Sequence, residues 1–239
     1  MGPGVVAIVL AAGESRRMGS TGPKVLADLA GESVLQRAIT AFEVAGDVKS
    51  IVVVSHADIF DRVSVVVGPF MKVGAVVAGG STRTASTLAG LEAIEAEFDG
   101  RVLVHDAARP LVTIATIEAL VAQLATADAA TVATPATDTM LSVADGAVTG
   151  VPDRTQLWHA QTPQGFRIAT LRAAYVAMGS ELQDFSDECG LVRRYLPKTR
   201  IAIVPGAPDN IKITEPGDLE LAAGLLARRA RVKNERYNE

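Results

Sequence analysis

Six short apolar runs punctuate the chain: Val5–Ala11, Ile51–Ser55, Ala75–Ala78, Val102–His105, Ala130–Pro135 and Ile201–Val204. They are nearly all apolar rather than alternating with polar residues, which is the signature of strands covered on both faces. Stretches of helical period lie between them. Leu35, Ala38, Ile39 and Phe42 fall on one face, behind a capping box of Ser33 with Gln36. Leu88, Leu91, Ile94 and Phe98 make a second stripe, and Ile114, Ile117, Leu120, Val121 and Leu124 a third. A last helix opens at Thr214 with Glu215-Pro216 in its first turn and carries Leu219, Ala222, Leu225 and Leu226. Arg228, Arg229 and Arg231 then sit near its negative pole, and 232–239 reads as a frayed tail. This order predicts an α/β fold over 1–231: a Rossmann-like, mostly parallel sheet with helices on both faces. Ligands in such sheets bind beyond the carboxyl ends of the strands, so the loops after the apolar runs carry the interest.

One stretch, at about 138–160, breaks the rhythm. It is polar and turn-rich, and Ala144-Asp145-Gly146-Ala147 reads as a hairpin turn between Thr139–Val143 and Ala147–Val151. An isolated hairpin is marginal in water and needs a partner. A second copy of the chain makes it a β-arm for a homodimer; the alternative is a flap folded over its own domain.

Composition excludes several classes. The 23 Lys and Arg against 27 Asp and Glu give a net charge of −4, and aromatics are only 4%. A nucleic-acid binder carries a basic excess and stacking platforms, so no nucleic-acid partner is expected. Cys189 is the single cysteine, and with only His56, His105 and His159 no metal-ligand spacing exists. The run Val5–Ala12 has no basic region before it and is too short to span a bilayer, so a cytoplasmic protein without a membrane partner is expected.

The loop after the first run holds Leu10-Ala11-Ala12-Gly13, then Arg16, Arg17 and, behind Pro23, Lys24. Neither the P-loop spacing nor GxGxxG is present, and the missing GxGxxG weakens a dehydrogenase reading. A strand-end glycine followed by up to three cations suits a polyphosphate, against the alternative of a solvated turn. Asp106 directly follows the fourth run, where it can accept sugar hydroxyls or help hold a metal ion, and Arg109 can grip a phosphate. Thr113 is the closer cap for the following helix, and His105 reads as a packed strand-end residue. Gly79-Gly80 with Ser81 and Ser86 suits close approach to a flat base, or is a plain helix cap. Lys212 lies inside an apolar run and, if it faces inward, needs an anion; the alternative is a lysine facing water from an edge strand. Trp158 reads as an anchor, and Arg154, at the base of the hairpin, can reach a neighbouring subunit.

Taken together, AAGESRRMG with PK, GGSTRTAS, HDAARP, TDTM, DR with LWHAQTPQ, SDE and DNIKIT, in that order, resemble the 2-C-methyl-D-erythritol 4-phosphate cytidylyltransferases of isoprenoid-precursor synthesis. The resemblance implies CTP and 2-C-methyl-D-erythritol 4-phosphate as substrates, Mg²⁺ held mainly by the triphosphate rather than by a protein cage, and a homodimer completed by the arm. By motif it assigns Arg17 and Lys24 to the charge on the α-phosphate. Leu10, Ala11, Ala12, Gly13, Gly80, Ser81, Ser86, Asp106 and Ala107 fall to the nucleotide. Asp106, Arg109, Thr139, Arg154, Thr162, Ser186 and Lys212 fall to the acceptor, Arg154 and Thr139 across the dimer interface, with Arg154 and Lys212 also counted as catalytic. Leu141, the SDEC run at Ser186–Cys189 and Val151–Arg154 also resemble the sister ribitol-5-phosphate cytidylyltransferases, whereas LWHA and DNIKIT favour the erythritol enzyme. A nucleotide sensor on the same fold would bind CTP without turnover; Arg17, Lys24 and Lys212 together argue for a catalyst.

Overall fold

The structure, a computed structural model, describes residues 4–15, 22–180 and 182–237. Its elements are β1 (Val5–Ala11), β2 (Asp28–Leu29), β3 (Glu32–Ser33), α1 (Val34–Val44), β4 (Val48–Ser55), α2 (Phe60–Val67), β5 (Val73–Ala78), α3 (Arg83–Glu92), β6 (Arg101–Asp106), α4 (Ile114–Gln123), β7 (Ala129–Pro135), β8 (Ser142–Ala144), β9 (Ala147–Gly150), β10 (Trp158–Arg167), α5 (Ile168–Met178), α6 (Glu188–Tyr195), β11 (Ile201–Pro205) and α7 (Pro216–Tyr237). Seven strands form the main sheet, in the order β11-β7-β10-β6-β1-β4-β5. All neighbours run parallel except β10, which is antiparallel to both β6 and β7. The expected mostly parallel sheet is borne out.

β1 explains the architecture. All seven of its residues are buried, and successive side chains point to opposite faces. Val5, Ala7, Val9 and Ala11 join a core with Leu35, Ile39 and Phe42 of α1 and Ile117 and Leu120 of α4. Val6, Ile8 and Leu10 join a second core with Leu91 of α3 and Leu171 and Ala174 of α5. A third, smaller core of Leu29, Val34, Leu111, Ile213 and Ala222 seats α7.

The caps follow the sequence. Ser33 and Gln36 form the reciprocal capping box of α1, and the Thr113 hydroxyl accepts the Thr116 amide at the start of α4. Two helix ends differ from expectation. α3 stops at Glu92, so Ile94 and Phe98 leave the helical stripe and pack as loop residues in the second core. α7 continues past Arg231 to Tyr237, where a frayed tail is expected, because no glycine or proline interrupts 225–237.

Near 138–160 the turn lies where the sequence places it. Asp145 and Gly146 have φ of 50° and 75°, as a two-residue hairpin turn requires, and Ala144 pairs with Ala147. β8 and β9 form their own two-stranded sheet, exposed on nearly every residue. The arm is shorter than expected, because Trp158 and His159 already pair with β7 in the main sheet.

Gly90 lets α3 lie directly on the sheet. A Cβ there would stand 2.6 Å from Ile8 Cγ2 and 2.9 Å from Val54 Cγ2. Gly90→Ala therefore gains helix propensity but overpacks two buried strands, and the clash dominates. Urea unfolding should show a loss of about 2 kcal/mol; unchanged stability would show that α3 shifts freely.

Candidate active site

The cleft opens at the carboxyl ends of β1, β5 and β6, with a volume of about 480 Å³. Its rim comes from segments far apart in sequence: Ala12–Ser15, Lys24, Gly80–Arg83, Asp106 and Lys212. Expected residues Leu10, Ala12, Gly13, Gly80, Ser81, Ser86, Lys24, Asp106 and Lys212 therefore share one cavity. Arg17 lies outside the described residues.

Local structure places each group. The Ser15 hydroxyl accepts the Lys24 amide at 3.0 Å, folding the strand-end loop back onto Lys24. Gly79 and Gly80 are needed for packing: a Cβ on Gly79 would stand 2.6 Å from Ala12 Cβ, and one on Gly80 2.5 Å from Ala85 Cβ. Thr82 caps α3 by accepting the Ala85 amide, so the positive end of that helix faces the cavity. The Ser86 hydroxyl donates to the Thr82 carbonyl at 2.8 Å, and its oxygen keeps acceptor capacity. The Ala11 side chain is buried, and the Ala107 amide donates to the Leu10 carbonyl at 3.0 Å, tying the ends of β1 and β6 together.

Asp106 is the electrostatic centre. Its Oδ1 accepts Arg83 Nε at 3.3 Å and Nη2 at 3.1 Å, and its Oδ2 accepts Lys212 Nζ at 2.6 Å. Burial alone would raise the carboxyl's pKa, but the charges of Arg83 and Lys212 outweigh it and hold the group well below the usual carboxylate range. Arg83 also donates from Nη1 to Glu188 Oε1 at 2.6 Å, and that oxygen accepts the Thr87 hydroxyl at 2.7 Å. Burial opposes the charge on Arg83, but Glu188 and Asp106 raise its pKa further.

Lys212 thus has the anion that its apolar setting demands, although 209–214 forms no strand. That segment is pinned by Ile213, whose side chain is fully buried and whose amide donates to the Ala108 carbonyl at 2.7 Å. Asn210 Nδ2 donates to Gln161 Oε1 at 3.2 Å and to the Thr162 carbonyl at 3.0 Å.

Other expected residues stand elsewhere. Arg109 donates to the carbonyls of Asn210 at 2.8 Å and Ala160 at 3.3 Å, bracing the two segments beside the cleft. The Thr162 hydroxyl is buried, accepting the Asp106 amide and meeting His105 Nδ1, each at 3.1 Å. Arg154 donates to the Thr137 carbonyl at 2.9 Å at the base of the arm, and Thr139 is exposed on the arm. Ser186 is exposed just before α6. None of these five lines the cavity within one chain.

Arg83 and Glu188 were not singled out by the sequence as site residues, although they lie inside the GGSTRTAS and SDE motifs. They stand 105 positions apart, and neither motif alone implies the other. Cys189 is half-buried, and burial pushes its thiol pKa up, away from a reactive thiolate.

His105 is fully buried, tilted against Phe42 at 5.0 Å between ring centroids, with Nε2 meeting the Arg109 carbonyl at 3.1 Å. Burial pushes its pKa down from 6.5 to about 4, so the folded chain holds it neutral while the unfolded chain takes up a proton below 6.5. Stability from this residue is complete above pH 6.5 and is lost as pH falls toward 4. The loss is on the order of 3 kcal/mol. Urea midpoints from pH 7 to 4.5 should fall more steeply in the wild type than in His105→Asn; equal slopes would remove His105 as the cause.

The geometry can be set beside known proteins. The family model for 2-C-methyl-D-erythritol 4-phosphate cytidylyltransferase, IspD, matches residues 5–228. The chain is 42% identical over 234 residues to 2-C-methyl-D-erythritol 4-phosphate cytidylyltransferase of Thermobifida fusca (strain YX), covering 94% of each chain. It is 33% identical to a bifunctional ribulose 5-phosphate reductase/CDP-ribitol pyrophosphorylase of Haemophilus influenzae, covering 94% of this chain and 48% of that protein. Among solved structures, the 4-diphosphocytidyl-2C-methyl-D-erythritol synthase of Anaerococcus prevotii superposes with a TM-score of 0.82 at 26% identity, covering 95% of this chain and 100% of that one. A model spanning nearly the whole chain and a relative matched from end to end agree with the motifs: this chain belongs to the 2-C-methyl-D-erythritol 4-phosphate cytidylyltransferase family.

Proposed function

We propose that the protein joins CTP and 2-C-methyl-D-erythritol 4-phosphate, releasing pyrophosphate and forming 4-diphosphocytidyl-2-C-methyl-D-erythritol. The observation that carries this reading is the meeting of Lys24, Lys212, Asp106 and the glycine-rich turns in one cleft at the strand ends. An oxygen of the acceptor phosphate attacks the α-phosphorus in line; the new P–O bond forms as the bond to the bridging oxygen breaks, and that oxygen leaves with pyrophosphate. A phosphate monoester is already a nucleophile, so no strong base is needed, and the catalytic burden is positioning and charge stabilisation. Lys24 and Arg17 take the α-phosphate charge. Backbone and hydroxyl groups of Ala11–Gly13, Gly80, Ser81 and Ser86 hold the cytidine, and Lys212 turns toward the acceptor phosphate.

Mg²⁺ would be brought by the triphosphate and would supply neutralisation of its charge. Among the described residues no three of His, Cys, Asp and Glu come together as a metal cage. Asp106 is a carboxylate in the cleft that would help hold the ion, and the triphosphate would supply most of the binding.

The arm supports a homodimer. Leu141, Val143, Val148 and Val151 are each more than half exposed, which a flap folded onto its own domain would not leave. Across such a dimer, Arg154 and Thr139 would reach the neighbour's acceptor. Among the described residues no helix is long and apolar enough to cross a membrane, which fits a cytoplasmic enzyme.

With CTP at saturation, Lys24→Ala and Lys212→Ala should each lower pyrophosphate release by about a hundredfold. Near wild-type turnover in both would overturn the cation clamp. An acceptor panel separates methylerythritol phosphate from ribitol phosphate, the alternative that similarity to the Haemophilus influenzae protein favours; no release with either acceptor would leave a CTP-binding sensor. For the arm, mixing Arg154→Ala with Lys24→Ala should restore activity above either homodimer. Absence of complementation would count against a shared site.

A further inference from the structure

We infer that Arg83 and Glu188 are positioning residues that fix one oxygen of Asp106 so that the other is offered to Lys212 and the cleft. The inference rests on the proposed cytidylyltransferase reaction. Both Arg83 contacts fall on Oδ1 and the Lys212 contact falls on Oδ2, so the carboxylate's two edges are divided between a buried and an open partner. The two ends of the relay differ in exposure: the Glu188 side chain is 2% exposed and the Lys212 side chain 41%, with Arg83 and Asp106 largely buried between them. The deep end is anchored in the sheet. The backbone amides of Glu188 and Cys189 both donate to Gln164 Oε1 at 3.1 Å, and Gln164 Nε2 donates to Thr131 Oγ1 and Asp187 Oδ2 at the same distance.

The charges alternate: Glu188, Arg83, Asp106, Lys212. When the acceptor phosphate draws Lys212 away, Asp106 keeps Arg83 as its counter-ion. Its carboxylate keeps a partner on Oδ1 and is not left as an unpaired buried charge. Without Arg83, Lys212 would be the main remaining cation on Asp106 and would be held back from the substrate. The charged or titrating groups around Asp106 are Arg83 from α3, Lys212 from 209–214, and His105 and Arg109 from its own strand and loop.

The test starts from wild-type enzyme with CTP and methylerythritol phosphate. If wild type releases no pyrophosphate, the proposed reaction fails, and the positioning inference falls with it. If wild type turns over, Arg83→Met should lower kcat/KM for the acceptor roughly thirtyfold while the Kd for CTP stays within about twofold, a split expected of misplacement rather than lost binding. Glu188→Gln keeps the acceptor oxygen for Arg83 and Thr87 and removes only the charge, and should show the same split with a smaller loss in kcat/KM. Thr87→Val trims one hydroxyl from Glu188 and serves if the charge variants do not fold. Unchanged kcat/KM for the acceptor in every folded variant, or equal losses in acceptor and CTP parameters, would overturn the inference.

Discussion

The carboxylate of Asp106, clamped between Arg83 and Lys212, is the contact on which the rest of the site depends. It joins α3, β6 and the segment before α7 in one place. A charge so enclosed would be costly unless paired on both edges, and here both edges are paired. Breaking one arm of the clamp leaves an ion in a poorly solvated setting. The fold protects the clamp by tying each contributor down independently. The α3 end is held by its Thr82 cap, the β6 end by the Ala107–Leu10 bond, and the lysine segment by the buried Ile213.

The alternating burial of β1 sends helices to both faces, and a parallel sheet brings the ends of its strands to one rim. Residues as distant as Lys24 and Lys212 become neighbours because each follows or borders an element that ends there. The chemistry is therefore assembled from loops on a rigid frame, and rigidity is what charge stabilisation requires.

Much of this was legible in the sequence. The six apolar runs, the Ser33–Gln36 and Thr113 caps and the Asp145-Gly146 turn announce themselves because each depends on residues close together in the chain. Strand β10 did not. Its central residues Gln161, Thr162 and Gln164 are polar and buried, and they belong inside only because partners from 105–106, 187–189 and 207–210 satisfy them. Such satisfaction is a property of the folded molecule, and the sequence read alone shows only a turn-like stretch. The same reason hid Arg83 and Glu188: an ion pair 105 positions apart leaves no periodic trace. The cluster of cations around the strand ends was visible as motifs, whereas the direction in which Arg109 and Thr162 point was not.

The reversed direction of β10 has a mechanical consequence. It begins at Trp158, beyond the linker 151–157 that follows the hairpin, and four positions on its Thr162 hydroxyl accepts the amide of Asp106. From Gln164 onward it is bonded on both sides, to β6 and to β7, so it behaves as a splint rather than a hinge. A strand bonded on both edges cannot slip in register, so the Thr162 hydroxyl just before that stretch is held beside the Asp106 amide.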